Sequence, residues 1–160
     1  MKKLILCSIA LIGFAISANA QEEKNAIGLR LGDSDGFGTE VSYQRYLNEK
    51  NSLKFDLGWR SSNNFDAFRL TGLYQWVWNI DGGFNWYVGA GGGIAQVDFD
   101  NVPPGFDDSE TYVYAAGDIG IEYDFDFPLL LSLDFRPEFG FGDVNDDVDF
   151  DIALGVRYQF

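Results

Sequence analysis

Asp134, Arg136 and Glu138 occupy alternate positions in one short run, two carboxyls with a guanidinium between them. Two acids at close spacing could do general acid–base work. On an extended strand, however, alternate residues share a face, so the arginine stands between the acids and structural pairing is the better reading. The chain has no His, which removes Ser-His-Asp arrangements and His-ligated metal centres. No enzymatic activity and no cofactor are expected.

A second candidate lies a few residues on. In the run from Asp143 to Asp149, Asp143, Asn145 and Asp147 match the first ligand positions of a calcium-binding loop. Val148 stands where such a loop turns on Gly, and Leu154 where it places its chelating Glu. Asp143, Asp146, Asp147 and Asp149 are therefore candidate ligands for a divalent cation or a cationic partner. The alternative is a solvated acidic loop.

The ends and the composition bound the rest. Lys2 and Lys3 precede an apolar run from Leu4 to Ile16, and Ala18-Asn19-Ala20 fits an export cleavage site before Gln21. Residues 1–20 read as a cleaved signal peptide and 21–160 as one domain. Cys7 lies inside the leader, in the wrong context for lipidation. Without Lys2 and Lys3 the chain holds 9 basic and 25 acidic residues, a formal charge of −16, which argues against nucleic acid as a partner. Fifteen Phe, eight Tyr, four Trp and nineteen Gly exclude a disordered acidic chain and favour strands.

The elements that must position these groups are strands. Period-2 alternation can be followed eight times, over about 26–32, 38–47, 52–60, 66–78, 84–97, 111–123, 129–141 and 151–160. The connections alternate between short turns and longer loops. Pro137 falls on an apolar strand face, where a bulge or a local loss of pairing is expected. Alternation alone fits a soluble barrel or a membrane barrel with the faces exchanged. The polar face is rich in Gly, Ala and Ser, which suits a crowded interior. The apolar face carries Trp59, Trp76, Trp78 and Trp86, which suit lipid and its interfaces. The reading adopted is an all-β, eight-stranded antiparallel up-and-down transmembrane barrel with a charged, side-chain-filled interior.

Inward-facing charges then number six positive, Arg30, Lys54, Arg60, Arg69, Arg136 and Arg157. Seven are negative: Glu40, Asp56, Asp118, Glu122, Asp134, Glu138 and Asp151. Buried charges need partners, so a pairing network is expected. The other reading, charges lining a narrow water-filled pore for small solutes or ions, stays open.

The leader, the eight strands, the charged interior and the closing Tyr158-Gln-Phe160 resemble bacterial outer-membrane barrels of the OmpA/OmpX type. The resemblance covers residues 26–160 and is architectural. It implies an outer-membrane location, a monomer with both termini periplasmic, and contact with outer-membrane lipids and lipopolysaccharide. It also implies delivery by periplasmic chaperones to the barrel-insertion machinery, with Tyr158 and Phe160 as the insertion signal. A structural or surface-interaction role follows from the same likeness, and fold alone does not fix function.

Overall fold

The computed structural model describes residues 25–32, 38–61, 65–99, 109–141 and 148–160. The leader, Cys7 and the loop acids Asp143, Asp146 and Asp147 lie outside the described residues. Eight strands follow one another: β1 (Asn25–Leu31), β2 (Thr39–Asn48), β3 (Asn51–Ser61), β4 (Phe65–Asp81), β5 (Phe84–Phe99), β6 (Ser109–Asp124), β7 (Leu129–Phe141) and β8 (Val148–Gln159). Each pairs antiparallel with the next, and β1 pairs with β8 to close the barrel. β1 has 7 residues, whereas β4 has 17 and β5 and β6 have 16 each.

The alternation in the sequence becomes an inside-out protein. Among the described residues, nineteen buried side chains are polar or charged and ten are apolar. Meanwhile Ile27, Leu29, Phe55, Leu57, Trp76, Trp86, Ile119, Ile121, Leu133 and Leu154 are exposed. A water-soluble barrel would lose the stabilisation of burying that surface. A barrel in lipid keeps it, and its backbone groups are satisfied because the ladder has no free edge. The apolar exterior and charged interior thus select the membrane form.

Local chemistry sets the turns on the side that holds both chain ends. Asn48 Oδ1 accepts the Lys50 backbone N–H at 2.8 Å. Gly82 takes φ +54°, a left-handed conformation that a Cβ disfavours, and Asn79 Nδ2 donates to its carbonyl at 2.9 Å. Closure is tied at the same end: Phe160 N donates to the Asn25 carbonyl at 2.8 Å and Asn25 N to the Phe160 carbonyl at 3.2 Å. Tyr43 from β2 donates to Asn25 Oδ1 at 2.9 Å.

Pro137 costs a piece of ladder, as expected, but without a register shift. Pairing between β6 and β7 runs from Val113↔Phe141 to Ala116↔Glu138 and resumes at Ile119↔Phe135. On the other side, Pro137↔Phe150 continues unbroken. The missing N–H is therefore the one that would face β6, where the proline ring packs against the space above Gly117. Pro137→Ala restores that donor and is expected to stabilise the barrel by about 1 kcal/mol, measured by urea unfolding in detergent micelles. Unchanged or lower stability would mean that the ring contact with Gly117 outweighs the hydrogen bond.

Candidate functional site

The lumen is crossed by charged side chains from seven of the eight strands. Arg30 from β1 donates from Nε to Asp134 Oδ1 at 3.0 Å, and from Nη1 to Glu40 Oε2 at 3.0 Å and Asp151 Oδ2 at 2.5 Å. Arg136 from β7 donates from Nη1 to Asp56 at 3.1 Å and from Nη2 to Glu40 Oε1 at 2.9 Å. Its Nε lies 2.8 Å from Glu138 Oε1, close enough for charge attraction but without hydrogen-bond geometry. Arg69 pairs with Glu138 and lies 3.6 Å from Glu40. Lys54 Nζ sits among three aspartates, 3.3 Å from Asp134, 3.4 Å from Asp118 and 3.8 Å from Asp56. Ten side chains thus form one connected network, all buried.

Glycine makes room for it. β5 contributes no charge to the lumen; its inward positions include Gly89, Gly91 and Gly93. A Cβ at Gly93 would stand 2.4 Å from the hydroxyl of Tyr114, whose ring lies under the Arg69 guanidinium at 5.2 Å. That hydroxyl shares a 2.5 Å hydrogen bond with Thr71. Gly120 gives the same clearance to Tyr87, and Lys54 Nζ is 5.9 Å from the centre of the Tyr87 ring. Two tyrosines, both inward by strand parity, therefore support the cations, a role not assigned from sequence.

Three of the thirteen expected inward charges have other surroundings. Arg60 is exposed, which corrects its placement in the buried interior. Parity does turn it inward, but it sits opposite Ala67 of β4 above the last β2 pairing at Glu40↔Gly58, where the wall has ended on one side. Arg157 is buried but donates to the hydroxyls of Ser42 at 2.9 Å and Ser132 at 3.0 Å. Glu122 is held by Tyr46, by Gln44 Nε2 at 3.2 Å and by Asn85 Nδ2 at 3.4 Å. These neutral partners all share inward parity with the charges. Among the described residues the buried charges number five positive and seven negative.

The rims hold the remaining candidates. At the end away from the termini, Asp66 of β4 stands opposite Asp98 of β5, and Glu110 of β6 opposite Val97; all three acids are exposed. Asp149 lies half-buried in β8 opposite Glu138. At the other end, Tyr158 projects outward and is 58% exposed, between Ile27 and Leu129. Phe160 lies beside it at the closure.

No family model matches the chain, and no curated protein matches it. Solved structures do. The N-terminal β-barrel domain of Pseudomonas aeruginosa OprF superposes with a TM-score of 0.65 at 17% identity, covering 88% of this chain and all of that one. Ail, the attachment invasion locus protein of Yersinia pestis, gives 0.57 at 17% identity over 85% of this chain and 96% of its own. Neisserial surface protein A gives 0.55 at 14% identity, over 85% and 94%. At these identities the likeness is one of fold, that of small eight-stranded outer-membrane barrels.

Reversing a charge in the network should be far more damaging than neutralising one in a loop. Arg136→Glu leaves Glu40, Asp56 and Glu138 facing a fourth carboxylate, and breaking a buried pair typically costs ~3–5 kcal/mol. Asp146→Asn is expected to stay within about 0.5 kcal/mol of the parent. Urea unfolding in micelles compares them, and equal stability of the two variants would show that the lumen network contributes nothing to folding.

Proposed function

We propose that this outer-membrane barrel is a structural and surface-interaction protein, a rigid scaffold whose acidic outer loops meet divalent cations or a cationic partner. The observation that carries this reading is the lumen itself. Ten ion-paired side chains cross it, each nine-tenths or more buried, so the middle of the barrel serves as packing. Eight strands leave room for little else. What varies in such a molecule is what the strands hold up at the surface. Two of the proteins with this fold are named for attachment and invasion and for the cell surface, which is in keeping with a display role.

The described part of the outer rim supports the cationic ligand. Like charges directly opposite each other across a ladder are unfavourable, and Asp66 and Asp98 are such a pair. A cation bound between them relieves that repulsion, and Asp143, Asp146 and Asp147 of the β7–β8 connection, with Asp149 of β8, offer further ligands. The chain lacks the histidine that hydrolytic triads use, and its buried acids are each engaged by a cation or by neutral donors. A non-enzymatic scaffold is the reading these facts favour.

Calorimetric titration with calcium tests the ligand. Binding is expected on the order of 10⁻⁴–10⁻³ M, as in extracellular modules, and is expected to fall when Asp143, Asp146, Asp147 and Asp149 are all changed to Asn. The same heat from both proteins would leave the loop as solvated charge. Conductance of the purified barrel in planar bilayers is expected to stay at baseline; regular openings would replace the scaffold reading with that of a narrow channel.

Delivery is part of the proposal. Tyr158 and Phe160 act as the segment read by the insertion machinery, so Phe160→Ala is expected to lower the folded yield in cells while refolding into detergent stays near normal. Heat-modifiable gel mobility reports both. An unchanged cellular yield would remove the aromatic terminus from that role.

A further inference from the structure

Among the described residues, one cation points out of the wall into the lipid face. Gln44 is buried and the Tyr46 hydroxyl reaches Glu122 in the lumen, so Arg45 between them faces outward by strand parity, and it is exposed. The other described arginines and Lys54 face the lumen by the same parity, and Lys50 lies in the turn between β2 and β3. Tyr43 precedes Arg45 on the outward face, and Leu47, 46% exposed, follows it toward the turn. The guanidinium is therefore rooted within the apolar band and not beyond its edge.

Across the ladder Arg45 stands opposite Asn25 of β1 and Leu53 of β3. Asn25 is already engaged, its Oδ1 accepting from the Tyr43 hydroxyl at 2.9 Å and its Nδ2 donating to the Phe160 carbonyl at 3.4 Å. The Arg45 side chain makes no hydrogen bond or ion pair with any described residue. A cation on the lipid face of a barrel is costly in proportion to its depth. It lowers that cost by running its methylenes along the wall and lifting its charge to the head groups.

Its neighbours fix that level. Leu53 stands opposite Tyr74 of β4, so Arg45 and Tyr74 share one row across the outer face. Trp76 meets the Tyr74 ring edge to face at 5.1 Å, and such rings lie at the boundary between hydrocarbon and head groups. The β2–β3 turn continues from this row into the head-group layer. Asn48 accepts the Lys50 N–H there, the Lys50 carbonyl accepts the Val77 N–H at 2.8 Å, and the Lys50 side chain is exposed. Glu49 is the acid of this turn, so the corner carries two positive charges against one negative. At the ends of the other two hairpins on this side the exposed charges are Asp81, Asp124 and Asp126.

The geometry points to a head-group site for an anionic phospholipid of the periplasmic leaflet, its phosphate between Arg45 and Lys50 and its first methylenes over Leu47 and Leu53. Short turns mark this end as the periplasmic one. The planar fork of a guanidinium matches two phosphate oxygens, and a lysine adds a point charge. Phosphatidylglycerol brings one net negative charge, which balances the excess of one at this corner. Phosphatidylcholine and phosphatidylethanolamine carry their own ammonium beside the phosphate and bring none. The acids of the other two hairpins repel the same lipid, so binding is confined to the β2–β3 corner.

The site is tested on the whole barrel refolded into phosphatidylcholine vesicles. Phosphatidylglycerol brominated in its acyl chains is added in increasing proportion, with brominated phosphatidylcholine and phosphatidylethanolamine as separate arms. Quenching of tryptophan fluorescence reports which lipid lies against the wall, and Trp76, Trp78 and Trp86 all stand at this end. Phosphatidylglycerol is expected to bind about fivefold more tightly than either zwitterionic lipid, the attraction of one surface cation for an anionic head group. Arg45→Gln or Lys50→Gln should bring the three lipids level, and Glu49→Gln should raise the preference. Arg60→Gln, a change at the opposite rim, should leave it unaltered, with heat-modifiable mobility showing that each variant is folded. Equal quenching by phosphatidylglycerol and phosphatidylcholine in the parent would overturn the proposal. So would phosphatidylethanolamine binding as tightly as phosphatidylglycerol, or a preference that survives Arg45→Gln.

Discussion

Charge compensation in a lumen filled by side chains is the constraint on which this barrel depends. Lipid surrounds the wall and side chains fill the lumen, so a charge buried there relies on its neighbours for compensation. The answer is multiplicity. Glu40 is approached by three arginines, from β1, β4 and β7, and Lys54 by three aspartates, from β3, β6 and β7. Isolated buried pairs are often no better than apolar packing. A shared network differs, because each group remains partly compensated when one contact lengthens. It also ties distant strands together across the lumen, something the ladder, which joins only neighbours, cannot do.

The backbone follows from that filling. A narrow barrel must hold guanidiniums and tyrosines in cross-section, so opposite each large side chain something must be small. Gly93 faces the Tyr114 hydroxyl and Gly120 that of Tyr87. β5, the most glycine-rich strand, carries no charge inward and serves as the clearance for its neighbours. Interior volume, more than turn geometry, accounts for these glycines.

Much of this was legible in the sequence because strand parity is a strong signal. Alternation assigned Arg30, Glu40, Lys54, Asp56, Arg69 and the alternating acids and arginine of 134–138 to one face, and the apolar side chains to the other. Parity gives the face of a residue and is silent about its height along the barrel axis. Arg60 is the example: right face, wrong level. Contact partners were also hidden, since Lys54 meets Asp118 and Asp134 across the lumen, at separations that no local spacing encodes. Arg157 and Glu122 looked like network members and proved to rest on serines, amides and a tyrosine. Those partners share the inward face, but nothing in their spacing distinguishes a hydroxyl that will hold a guanidinium from one that merely fills space. The acids at 143, 146 and 147 lie outside the described residues, and there the sequence reading has no geometry to meet.

The wall is uneven in height. A tilted strand crosses the apolar slab of a bilayer in about 9–11 residues; β2 has 10, while β4, β5 and β6 have 16 or 17. The short flank therefore matches the slab, and the tall flank rises past it, carrying the exposed Asp66, Asp98 and Glu110 beyond the hydrocarbon. Backbone hydrogen bonds, rather than loop contacts, thus hold up that side of the rim.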